Sequence, residues 1–114
     1  MDFLLQYSEF ISESKADQTI ESFAAARLAG ATKIAEAAKE KGGPAMLTYH
    51  HFVVKLPYYK KAAAGKLSYD SIESEYKKLL NELTTKKQNQ TQFQKLVGKI
   101  EVLGELMIKH NEVH

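Results

Sequence analysis

Residues 68–83, SYDSIESEYKKLLNEL, carry the clearest periodic pattern in the chain. Ser68 suits the cap of a helix, because a serine hydroxyl can accept a hydrogen bond from a backbone N–H of the first turn. The apolar residues that follow recur at the spacing of one helix face, with charged residues among them. They are Ile72, Tyr76, Leu79, Leu80 and Leu83. The stretch therefore predicts an amphipathic helix with one buried side.

Residues 17–41 predict a second, thinner helix upstream. Asp17 suits its first cap, and Gly42 suits its end because glycine readily adopts the positive φ found there. One face of this helix is traced at helical spacing by Ile20, Phe23, Ala24, Arg27, Ala31, Ile34, Ala35 and Ala38. The many alanines predict that neighbouring helices approach it closely.

Two prolines lie in the segment between these two helices. Pro44 suits the first turn of a helix, where its missing N–H has no partner to lose. Pro57 predicts a kink or a restart, because it removes one backbone donor and its ring clashes with the preceding turn. Gly65 predicts the end of this segment.

A last helix is predicted to start at Thr91. Its main apolar stripe comprises Phe93, Leu96, Val97, Ile100, Leu103 and Met107. Val102, Leu106 and Ile108 fall outside that stripe, so this helix is apolar on more than one side. Such a helix either lies centrally or contacts a second copy of the chain. Together the segments predict an all-α fold, a small bundle of four to five helices.

Composition narrows the classes of function. The chain has 114 residues and no cysteine, so we expect one domain, and disulfide and thiolate chemistry are excluded. A net charge of +2 does not indicate a nucleic-acid binder, and no apolar run approaches the length of a membrane span. Residues 55–66 and 86–99 carry lysines without any acid. They form either one anion-attracting face or an ordinary solvated surface.

The first 13 residues form an amphipathic segment of their own. As a helix, they would gather Phe3, Leu4, Tyr7, Phe10 and Ile11 on one face. No positively charged region precedes the apolar residues, so a secretory signal is not indicated. The segment is either a packed fifth helix or a detachable leader, and residues 14–114 are then a single helical domain.

The stretch YSEFISES at residues 7–14 resembles the capsid-targeting leader of internal head proteins in T-even-type tailed phages. Those leaders carry a Tyr-x-Glu-Phe-Ile-x-Glu pattern, although residues 2–5 here lack their lysine-bearing start. The resemblance implies cleavage after Glu13, leaving Ser14 as the first residue. It also implies packaging in the phage head and entry into the host with the DNA, where some such proteins disarm host defences.

Residues 48–66, TYHHFVVKLPYYKKAAAGK, interleave aromatic and basic side chains. Rings can stack on a base and lysines can bind phosphate, so the stretch predicts a site for a nucleotide-type ligand. The candidate ligand-binding residues are Tyr49, His51, Lys55, Tyr58, Tyr59 and Lys60. The alternative is that these residues line the edge of the core. The spacing of His51 from Pro57-Tyr58-Tyr59 also resembles an uncharacterised family of small bacterial and phage helical proteins, which implies no function.

Catalytic and metal motifs are not evident in the sequence. No histidine belongs to the Glu-x-x-His pattern of di-iron bundles, and His110 and His114 offer only two ligands. Residues 42–44 are not followed by the Lys-Ser/Thr of a phosphate-binding loop. We therefore expect no enzyme, no metal and no cofactor.

The leading hypothesis is a non-enzymatic phage accessory protein that binds and blocks a host component, with an anti-defence role. Alternatives are a protein that sequesters a nucleotide-type immune signal and a structural component of the prohead core. The expected partner is a host protein or a nucleotide-type small molecule, with homo-oligomers as an open alternative. Neither a membrane nor a specific nucleic acid is expected, and the expected location is the host cytoplasm, preceded by the phage head if the leader is used.

Overall fold

The computed structural model describes residues 19–113, which form five α-helices and one short 3-10 helix with no β-strand among them. The helices are α1 (Ile20–Lys41), α2 (Met46–Val53), α3 (Leu56–Ala63), α4 (Tyr69–Thr85) and α5 (Gln90–Val113), and the 3-10 turn is Gly43–Ala45. The predicted all-α bundle is confirmed. The segment 1–13 lies outside the described residues.

Side-chain caps fix where three helices begin. Ser68 accepts a hydrogen bond from the Ser71 N–H at 3.3 Å, as predicted. The cap of α1 is Thr19, which exchanges hydrogen bonds with Ser22 in a capping box. The predicted cap Asp17 lies outside the described residues.

The start of α5 differs from the prediction by one residue. Its first residue is Gln90 instead of Thr91. The Gln92 N–H donates to the Asn89 side chain at 2.8 Å, and the Asn89 N–H donates back to the Gln92 side chain at 3.3 Å. This reciprocal pair places the cap at Asn89.

Pro57 produces the predicted restart. The backbone turns at Val54 and Lys55 between α2 and α3, and Pro57 then occupies the first turn of α3. Because α2 and α3 follow each other without a loop, they form one bent arm that runs from residue 46 to 63. This arm carries all six predicted ligand residues.

The core surrounds α5. This helix packs mainly against α4 and α2, and less against α1 and α3. Its most deeply buried side chains are Val102, Leu103 and Leu106, two of which lie outside the predicted stripe. The second apolar side is therefore explained by the central position of α5. The alanines of α1 face α2 and α3, and Ala24, Ala31, Ala35 and Ala38 are buried as predicted.

Gly98 marks the closest approach between two helices. A Cβ built on this residue would collide with the carbonyl oxygen of His51 and lie 2.7 Å from Val54 Cγ2. Real side chains do not tolerate such distances, so any larger residue would force α2 away from α5. The backbone of the arm thus rests directly on α5 at this point.

We expect Gly98→Ala to lower the free energy of unfolding by about 1–3 kcal/mol, the usual cost of overpacking. Thermal unfolding followed by circular dichroism measures this, at about 4–8 °C per kcal/mol for a domain of this size. The control is Gly30→Ala, since no described residue lies within 4 Å of its Cβ position. That change should be neutral or stabilise by up to about 1 kcal/mol, because alanine favours the helix. Equal stabilisation by both changes would contradict the close contact at Gly98.

Candidate functional site

Lys55 and His51 both meet one glutamate of α5. Lys55 Nζ donates to Glu101 Oε1 at 2.9 Å, and His51 Nε2 lies 3.2 Å from Glu101 Oε2. Lys55 is only 8% exposed, and its ammonium lies 4.7 Å from the centre of the Phe52 ring. Glu101 therefore contacts both Lys55 and His51, two of the side chains predicted to bind a ligand.

This arrangement changes the acidity of Glu101. Burial acts to raise its pKa, but the hydrogen bond and charge of Lys55, followed by those of His51, outweigh that effect. The pKa of Glu101 is consequently held below its ordinary value. The carboxylate is charged at neutral pH and neutralises the buried ammonium.

Tyr58 and Tyr59 also donate to glutamates, but on different helices. The Tyr59 hydroxyl donates to Glu105 Oε1 and the Tyr58 hydroxyl to Glu75 Oε1, each at 2.6 Å. Burial, followed by the hydrogen bond to the glutamate, raises the pKa of both phenols. Both therefore stay protonated at neutral pH, and each acts as a hydrogen-bond donor.

The other two predicted ligand residues lie apart from these. The Tyr49 ring contacts His50, with centroids 5.4 Å apart, and Lys39 Nζ lies 5.8 Å from the Tyr49 ring centre. Lys60 is exposed. The six residues thus belong to several environments along the arm. Most of their polar atoms contact glutamates of α4 and α5. No sequence pattern indicates these glutamates as partners.

A groove runs along α5 between α1 and α4, where no other helix of residues 19–113 covers it. Both helices pack on α5 but make little contact with each other. The resulting space of about 580 Å³ is lined by the apolar side chains of Phe23, Tyr76, Ile100 and Ile108. Ile108 is 63% exposed, so part of this apolar lining faces outward. We call this space the α5 groove.

Charged residues border the α5 groove. Glu101, Glu105 and Glu112 line it together with Arg27 and Lys109. Arg27 Nε lies 3.7 Å from Glu105 Oε2, and the buried Lys109 ammonium lies 3.5 Å from Glu112 Oε2. The three carboxylates remain between about one third and one half exposed, so they can meet a further partner.

The comparisons with known proteins give no relative, since no family model, curated protein or solved structure is significantly similar to this chain. Between residues 19 and 113, no three histidine, aspartate or glutamate side chains are grouped to hold a metal ion. In the same range, no helix is long and apolar enough to cross a membrane. Glu13 and Ser14 lie outside the described residues, so cleavage between them stays a prediction.

We expect Glu101→Gln to lower the free energy of unfolding by about 1–2 kcal/mol at neutral pH, because it leaves the buried Lys55 ammonium with a weaker acceptor. The matched control is Glu73→Gln, which breaks only the exposed pair with Lys77 and should cost less than about 0.5 kcal/mol. Urea unfolding measures both.

The pH dependence separates this effect from a packing defect. A depressed pKa in the folded state stabilises the protein above the ordinary glutamate pKa of about 4.3, and this contribution is lost as pH falls through the lower folded value. The difference between the original chain and Glu101→Gln should therefore shrink on acidification. A constant difference down to acid pH would contradict a role for the Glu101 charge.

Proposed function

We propose that this chain is a non-enzymatic binding protein of a phage, which binds and blocks a protein of the host through the α5 groove. The observation that carries the proposal is the apolar side of α5 between α1 and α4, which no helix within residues 19–113 covers. In a helical bundle such a position is normally filled by another helix. The resemblance of residues 7–14 to a capsid-targeting leader supports the phage origin and action in the host cytoplasm.

An amphipathic helix with basic flanks is the partner that suits the groove. From Ile100 to Glu112 the groove extends about 18 Å along the helix axis, the length of about three helical turns. Its apolar floor would take the apolar face of the partner, as in other helix-in-groove complexes. The half-exposed oxygens of Glu101, Glu105 and Glu112 favour lysine or arginine at the edges of that helix.

Exposed Ile108 is the natural centre of such a contact. It lies on α5 within the groove, with Phe23 of α1 and Tyr76 of α4 also lining that space. Apolar and aromatic anchors of this kind contribute most of the affinity of small interfaces. The charged groups at the edges of the groove already form ion pairs within the folded chain. They therefore determine which charge the bound helix must carry, and they add little to its affinity.

The direct test uses designed peptides of about 15 residues, long enough to form a helix on binding. One has a leucine face with lysines elsewhere, and the second has glutamates in place of the lysines. We expect the basic peptide to bind in a fluorescence anisotropy titration, and added salt to weaken it. Ile108→Glu should reduce this affinity about tenfold or more, as loss of a central anchor does.

The matched control is Ile34→Glu on α1, since Ile34 is 43% exposed and does not line the groove. This variant should bind the basic peptide as the original chain does. Tighter binding of the acidic peptide, or an equal loss with both variants, would overturn the proposal. So would a stable dimer that Ile108→Glu dissociates, because the groove would then be filled by a second copy of the chain.

A further inference from the structure

Lys99 lies between two neighbouring hollows on the side of α5 that faces α4 and the arm. The first, which we call the apolar hollow, has a volume of about 480 Å³ and is lined by Val53, Val54, Pro57, Tyr58, Lys61, Glu75 and Lys99. The second, the lysine hollow, has a volume of about 290 Å³, and its basic residues are Lys86, Lys87, Lys95 and Lys99. Since Lys99 lines both, the two hollows are adjacent.

Positive charge is poorly compensated in the lysine hollow. Among residues 19–113, Glu82 is the only acid that lines it, and its carboxylate lies 3.6 Å from Lys86 Nζ. Within the described part of the chain, Lys87, Lys95 and Lys99 have no carboxylate within 4 Å. Lys99 is also half-buried. Several like charges around one concavity raise the local potential and attract an anion of several charges.

The apolar hollow differs in character. Pro57, Val54 and the Tyr58 ring offer flat or apolar surface to a ring system. Glu75 is the one carboxylate that the described residues place there, and its Oε1 atom accepts a hydrogen bond from the Tyr58 hydroxyl at 2.6 Å. Its Oε2 atom is therefore able to accept a hydrogen bond from an amino group, such as the exocyclic amine of a nucleobase.

We infer that the two hollows together bind one nucleoside polyphosphate, with the base in the apolar hollow and the phosphates in the lysine hollow. Lys99 lies at the junction, where the first phosphate follows the sugar. The combined space falls within the usual range for small-molecule sites, which are largely apolar with a few placed polar groups. Of the six residues predicted for such a ligand, only Tyr58 lines these hollows. The other five do not line them. The residues placed to bind the phosphates are instead lysines of α5 and of the α4–α5 connection.

A free nucleotide suits this site better than a nucleic acid. Proteins that hold single strands combine a basic groove with several aromatic platforms for successive bases. In the part of the chain that the structure describes, no aromatic residue lines the lysine hollow and one tyrosine lines the apolar hollow. One base and one group of phosphates is the ligand that this arrangement accommodates.

The experiment is isothermal titration calorimetry of the full chain with ATP, GTP, UTP and inorganic tripolyphosphate. We expect ATP and GTP, whose bases carry exocyclic amines, to bind more tightly than UTP, and UTP to bind at least as tightly as tripolyphosphate. Lys99→Gln should weaken ATP binding about tenfold or more, the usual effect of losing a charged hydrogen bond. The exposed Lys95→Gln should weaken it less, and the control Lys33→Gln on α1 by less than about twofold.

Other results would overturn the inference. They are no heat of binding with any triphosphate, tripolyphosphate binding as tightly as ATP, or equal losses with Lys99→Gln and Lys33→Gln. Tighter binding of a short single-stranded oligonucleotide than of ATP would assign the surface to nucleic acid instead. Ile108→Glu should leave ATP binding unchanged, so this result and the peptide result in the α5 groove succeed or fail separately. Circular dichroism of Lys99→Gln confirms that the variant is folded.

Discussion

The packing of the arm on α5 depends on one backbone contact, between the His51 carbonyl and Gly98. Because Gly98 has no side chain, α2 can rest on α5 at a distance that no other residue permits. Lys55 and Glu101, each about one turn further along, are then close enough to form an ion pair. The contact thus determines where the polar groups of the arm meet α5, and a small shift of α2 would separate them.

The pairs that follow have a common geometry. Lys55 and Tyr59 are four residues apart, and so are their partners Glu101 and Glu105 on α5. Residues four apart share a face of a helix, so both donors of the arm can reach the face of α5 that carries both glutamates. The same two glutamates border the α5 groove on their other side. Packing of the arm on α5 therefore fixes the positions of Glu101 and Glu105 at the edge of the α5 groove. A substitution that disturbs this packing is expected to disturb the groove as well.

Local sequence signals predicted the helices well but not the pairs between them. Ser68, Gly42 and Pro57 act through their own or adjacent turns, and their roles were predictable from residue chemistry alone. Lys55 illustrates the limit, because its partner Glu101 lies 46 residues away in the chain. A lysine is expected to be exposed unless such a partner exists. For the same reason, local sequence patterns do not reveal that the hydroxyls of Tyr58 and Tyr59 donate to Glu75 and Glu105.

The distribution of charge in the folded chain is not apparent from its composition. A net charge of +2 predicts no strong preference for an anionic or cationic partner. Among the described residues, three acids and two bases line the α5 groove, whereas four lysines and one acid line the lysine hollow near the α4–α5 connection. The helix α4 separates the two regions, with Tyr76 on the groove and the adjacent Glu75 on the apolar hollow. Adjacent residues on a helix point about 100° apart, so one helix can form a wall of both sites. A net charge of +2 is therefore compatible with two surfaces of different charge on one folded chain.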